Sequence, residues 1–122
     1  MDLAKARSSV AAARLCLEHG HADSAVSRAY YAMFQGAQAA LGQIGFDRTR
    51  WSHAGLQATF ANELTRRRKR LPKILRTYLN EALDLRITAD YGLTGLSVRQ
   101  AARVVGWAEE FLARVGGMTQ DG

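Results

Sequence analysis

The sequence predicts an all-α protein, an up-down four-helix bundle with one extra short helix. Three observations predict it. The 122 residues include 21 alanines and 14 leucines against 9 valines and isoleucines together, with a single proline, a balance that favours helix over sheet. Apolar residues recur at three- and four-residue intervals over long runs, as amphipathic helices require. Short connections join those runs, which makes successive helices antiparallel neighbours.

A chain of this length makes one domain, burying roughly two-thirds of the surface its unfolded form exposes. An apolar fraction of 48% excludes disorder as the main state. No repeat or linker divides the chain; residues 1–116 read as a single bundle and 117–122 as a flexible tail.

The first helix is expected from Asp2 to His19, with Leu3, Ala6, Val10, Ala13 and Leu17 on one face and Gly20 as its stop. The second is expected from Ala22 to Ile44, with Val26, Ala29, Tyr30, Met33, Ala37, Ala40, Leu41 and Ile44 facing inward. Its small residues, Ala29, Gly36, Ala37 and Ala40, let a neighbouring helix come close. Ser52 reads as the N-cap of a short third helix, stapled by Trp51 and Leu56 and carrying Phe60 and Leu64. Pro72 suits the first turn of the fourth, whose stripe is Leu75, Tyr78, Leu79, Ala82, Leu85 and Ala89. Gly92 and Gly95 break the pattern. Ser97 and Gln100 then form a capping box for the fifth helix, with Val98, Ala101, Val105, Ala108, Leu112 and Val115 inward.

Several classes are disfavoured. A lone cysteine allows no intrachain disulfide and fits a reducing compartment. Met1 to Arg14 has basic residues without the apolar core of a signal peptide. Ala29 to Phe46 is free of charge, yet its three glutamines and three glycines suit a buried helix rather than a bilayer. A cytoplasmic protein that does not enter the membrane is expected.

Charge is concentrated. Of the net +6, residues 1–62 contribute +2 and residues 77–122 contribute −2, so Glu63 to Arg76 holds +6 alone. Arg66, Arg67, Arg68, Lys69 and Arg70 are its densest part, with Lys73 following, between the third and fourth helices. Such a cluster suits phosphate backbones through counterion release. It equally suits a solvated basic loop or a dock for an acidic protein. No aromatic residue interrupts the run, so base stacking by this segment is not supported.

Other candidates are sparse. Cys16, His19 and His21 lie close together, but their spacing matches no zinc signature and no second ligand pair follows. No metal or cofactor is expected. His53 begins a helix, where a cation is disfavoured, so it reads as a neutral base or hydrogen-bond partner. Arg86 and Asp90 are four residues apart and share a helix face; alone, they make an ordinary surface ion pair.

Three motifs carry a resemblance. Ser27-Arg28-Ala29-Tyr30-Tyr31-Ala32-Met33-Phe34, Ser52-His53-Ala54-Gly55-Leu56 and Leu85-Arg86-Ile87-Thr88-Ala89-Asp90-Tyr91-Gly92 resemble the HEPN domain family, in particular its small stand-alone prokaryotic branch. The resemblance spans nearly the whole chain in the same order. It implies a helical bundle that dimerises and is often paired with a minimal nucleotidyltransferase in toxin–antitoxin-like modules. Many members are metal-independent ribonucleases with an Arg-x4-His motif, the arginine holding the scissile phosphate and the histidine moving a proton. Here Arg86 is followed at that spacing by Tyr91, and the tyrosine expected two residues further on is replaced by Leu93. A phenol titrates near pH 10, too high for an ordinary general base.

Three functions follow as expectations. The first is a homodimeric RNA- or nucleotide-binding component of such a module, lacking standard ribonuclease chemistry. The second is a ribonuclease toxin using Arg86, oriented by Asp90, with His53 or Tyr91 in the missing role. The third is a structural protein-interaction bundle. Trp51, Leu83, Ile87 and Trp107 fall off the main stripes and are candidates for the dimer interface.

Overall fold

The structure is a computed structural model and describes residues 1–118. Five α-helices follow one another: α1 (Ala4–Glu18), α2 (Ala22–Gln43), α3 (His53–Phe60), α4 (Ile74–Tyr91) and α5 (Val98–Gly117). Among the described residues there is no strand, as the composition predicts. The long helices α1, α2, α4 and α5 form the bundle, and α2 touches all the others.

Three cross-links fix the direction of each helix. Ser9 Oγ donates to Gln35 Oε1 at 2.8 Å, and the short connection from Glu18 to Ala22 folds α1 back antiparallel to α2. Asp23, in the first turn of α2, accepts the Leu96 N–H at 2.8 Å and pins the α4–α5 connection over the start of α2. At the other end of α4, Tyr78 donates to Glu110 at 2.6 Å and its ring stacks on Trp107 at 5.2 Å. Thus α1 and α4 run opposite to α2 and α5, the up-down arrangement the short connections predict.

The core is small-residue rich. Val26, Ala29, Tyr30, Met33, Ala37, Ala40 and Leu41 are fully buried along α2, as its periodicity requires. Gly36 is buried with them because α5 passes directly over it: a Cβ there would lie 2.6 Å from Leu112 Cδ2. Phe60 stacks on Phe111 at 5.3 Å, tying the end of α3 to α5. Gly20 turns the chain between α1 and α2 at φ 78°, a conformation glycine takes without steric cost.

The caps follow their sequence signals. Ser52 Oγ accepts the Gly55 N–H at 2.9 Å, and Ser97 and Gln100 close a full capping box. Pro72 precedes α4 instead of lying in its first turn, its carbonyl accepting from the Leu75 N–H. Val98 is exposed because it opens α5 before that helix meets the core.

Two segments differ from expectation. The third helix ends later than Leu64: α3 continues as a π-helical segment, Ala61–Arg67, that buries Leu64 and Thr65 and takes in Arg66 and Arg67, while Arg68, Lys69 and Arg70 lie in the connection to α4. Thr65 Oγ1 takes the Ala61 carbonyl at 2.6 Å, and competition of this kind for a helical acceptor loosens the α-ladder. The expected tail boundary is also too early. Helix α5 reaches Gly117, Met118 is buried and its carbonyl accepts from Arg70 Nη2 at 3.1 Å. The rest of the expected tail lies outside the described residues. Among those described, no helix is long and apolar enough to cross a membrane.

Candidate functional site

On α4 the buried positions Leu75, Leu79 and Ala82 are spaced by four and three residues. The next position on that stripe is Arg86. A permanently charged guanidinium therefore sits where the helix periodicity calls for a core residue. The side chain is 21% exposed, and its Nε is buried without a hydrogen bond. Asp90 Oδ2, one turn on, is 3.8 Å from Nε, close enough for charge attraction but too far for a hydrogen bond.

The neighbours are aromatic. The guanidinium carbon lies 4.7 Å from the Tyr31 ring centre and 5.8 Å from that of Tyr30, both within cation–π range. Tyr30 is fully buried and packs against Tyr31, Phe34 and His53. Phe34 also meets the His53 ring edge-on at 5.2 Å. Ser52 caps α3, so His53 is its first residue and is held against the middle of α2.

The Tyr30 hydroxyl and His53 Nδ1 are 2.6 Å apart. Burial pushes the phenol up to about 12, opposed in smaller measure by Gln57 and Arg86. The His53 imidazole is lowered from its ordinary value by burial and then by the Arg86 charge. At neutral pH the phenol keeps its proton, and because Nδ1 is the hydrogen-bond partner of this fully buried hydroxyl among the described residues, the O–H donates a hydrogen bond to Nδ1. The imidazole is neutral and carries its own proton on Nε2. The Gln57 amide nitrogen is also buried without a hydrogen bond.

The resulting chemistry is one of donation. Arg86 and the His53 Nε2–H offer protons, while the lone pair of Nδ1 is occupied by Tyr30. This suits an anion such as a phosphodiester. It is poorly suited to removing a proton, because the lone pair that would do so is already engaged.

Of the sequence candidates, Arg86, Asp90 and His53 come together and Tyr91 does not. Five residues on from Arg86, Tyr91 points about 140° away around the helix and is 84% exposed. The motif position therefore does not supply a base to this site. The basic run is partly neutralised: Arg67 and Arg68 lie 3.4 and 3.5 Å from Glu63. Lys73 is exposed at the start of α4. Of the proposed interface residues, Trp107 is covered by Tyr78, and Arg48 lies over Trp51 at 4.4 Å. Leu83 is half-buried and Ile87 remains exposed. Among the described residues no group of three or more His, Cys, Asp or Glu side chains is placed to hold a metal ion.

Tyr30, Tyr31 and Phe34 join the site from the motif on the second helix, without a role assigned by the sequence, and Gln57 joins it unannounced. The signal for their involvement is Arg86 itself: a cation on a core stripe needs partners, and aromatic residues on the facing helix provide them.

Comparison with known proteins agrees with the all-helical fold. The HEPN domain model matches residues 3–118. A UPF0332 protein of Gloeobacter violaceus is 34% identical over 119 residues, covering 90% of this chain and 92% of that protein.

Proposed function

The chain belongs to the HEPN domain family, and from that premise we propose that it is a homodimeric RNA- or nucleotide-binding protein whose phosphate site is Arg86. Family membership supports a nucleotide- or RNA-related role in general. One observation carries the finer reading: a partly buried guanidinium whose Nε has no hydrogen-bond partner. Leaving such a donor unpaired costs stability, and a phosphate that engaged the partly exposed guanidinium would relieve that cost by drawing Nε out of its buried position.

The surroundings support binding over cleavage. With Tyr30 donating to His53 Nδ1, no group at the site is poised to take the proton of a ribose 2′-hydroxyl. The protein then works with a nucleotidyltransferase in a toxin–antitoxin-like module, holding RNA or nucleotide without turning it over. Ile87, Tyr91 and Leu93 are exposed along the last turns of α4 and just beyond its end, and a second copy of this chain would cover them.

The test is binding of a short labelled RNA. Arg86→Ala should weaken it by about 1.5–3 kcal/mol, the scale of hydrogen bonds to charged groups. Arg86→Lys should recover only part of the loss, because lysine lacks the planar fork. Unchanged binding in Arg86→Ala would reduce Arg86 to a structural ion pair. Light scattering should give a dimer in the wild type and a monomer in Ile87→Glu. Metal-free cleavage lost in His53→Ala would establish the ribonuclease reading instead.

A further inference from the structure

The exposed face of α2 beside Arg86 carries a hollow lined by Ser24, Ser27, Arg28 and Tyr31. We infer that this hollow is a nucleoside subsite, in which a base stacks on Tyr31 and the phosphate of the same or the next nucleotide meets Arg28 and the two serines. The inference rests on the phosphate reading of Arg86 and extends it by one nucleotide along α2.

Four observations support it. Tyr31 is 38% exposed, and Arg86 covers its ring at 4.7 Å. Arg86 does not line the hollow, so the hollow opens on a part of Tyr31 that the guanidinium leaves free. Arg28 is exposed and has no ion pair or hydrogen bond among the described residues. It lies one helical turn from Tyr31 on the same face of α2.

The lining also discriminates between occupants. Two hydroxyls, an unpaired cation and one aromatic ring match the sugar, phosphate and base of a nucleotide. An apolar protein contact would leave the Arg28 charge and both hydroxyls to be desolvated without partners. Base stacking on an aromatic ring tolerates any base, so the subsite should read the presence of a base and not its identity.

The experiment compares a short labelled oligoadenylate with the corresponding abasic ribose-phosphate strand. Wild-type protein should prefer the base-bearing strand by about tenfold. Tyr31→Ala should bring it to the abasic level, while Tyr31→Phe keeps the preference. Arg28→Gln should weaken both strands equally and flatten the salt dependence by about 0.7 in the log–log slope. A preference that survives Tyr31→Ala overturns the subsite while Arg86-dependent binding stands. Absence of Arg86-dependent binding overturns the phosphate reading and the subsite together. A change of oligomeric state in Tyr31→Ala, with the base preference intact, would assign this face to a second copy of the chain instead.

Discussion

The Tyr30 hydroxyl donates to His53 Nδ1 across 2.6 Å, joining the middle of α2 to the first residue of α3. This contact sets the tautomer of the only imidazole near Arg86 among the described residues. In Tyr30→Phe the ring would stay packed, but Nδ1 would lose its donor. Stability should fall by about 0.5–1.5 kcal/mol in urea titration. The His53 pKa should rise, because a bond that favoured the neutral ring is gone. Ring-proton NMR reads that shift directly; an unmoved titration would mean that burial and Arg86 alone hold the imidazole neutral.

The lowered pKa of His53 makes stability depend on pH in a stated direction. The unfolded chain takes up this proton near the ordinary value of 6.5, and the folded chain does so only at lower pH. The contribution is therefore complete above pH 6.5 and is lost as pH falls from there through the lowered folded value. Denaturant titrations at about pH 7.5 and pH 5.5 should show a smaller pH slope in His53→Gln than in the wild type. RNA affinity should move the opposite way, because a bound phosphate favours the imidazolium. Wild-type binding should strengthen on acidification and His53→Gln should lose that gain.

The bundle was legible because helix periodicity is a local property. The buried set from Val26 to Leu41 and the Ser97–Gln100 box both follow from residues only a few positions apart. The end of the third helix was less legible than its start: Thr65 takes the Ala61 carbonyl and α3 continues as a π-helix through Arg67, an outcome that propensity does not predict. Motif counting leads from Arg86 to Tyr91, whose direction depends on helix phase, not on sequence distance. The Tyr30–His53 contact joins residues 23 apart, and only the packing of α3 on α2 brings them together.

Gly36 marks the closest approach of α2 and α5. A Cβ there would meet Leu112 Cδ2 at 2.6 Å, but that atom ends a flexible side chain. Gly36→Ala should be nearly neutral, because the shift of Leu112 offsets a gain of about 1 kcal/mol in helix propensity. Gly36→Val places two further methyl groups against Leu112 and Phe111, and should cost about 1–3 kcal/mol. Thermal denaturation of both variants checks the contrast. Equal stability would mean that α5 can move away at little cost.

The basic run divides into two groups by what each side chain already touches. Arg67 and Arg68 share Glu63, and Arg70 donates to the Met118 carbonyl at 3.1 Å. Arg66 and Lys69 are exposed and have no partner among the described residues. If RNA passes this segment on its way to Arg86, the unpaired cations release counterions most readily. The double variant Arg66→Gln with Lys69→Gln should then lower the salt slope of RNA binding by about 1.4, at about 0.7 per single-strand phosphate contact. Its folding stability should stay within about 0.5 kcal/mol of wild type. Arg70→Gln should show the reverse, because it breaks a charged donor's bond to the end of α5. It should lose about 1 kcal/mol of stability with a smaller change in slope. If all three substitutions alter the slope equally, the segment acts as a diffuse charge and the contacts to Glu63 and Met118 do not select which cations meet RNA.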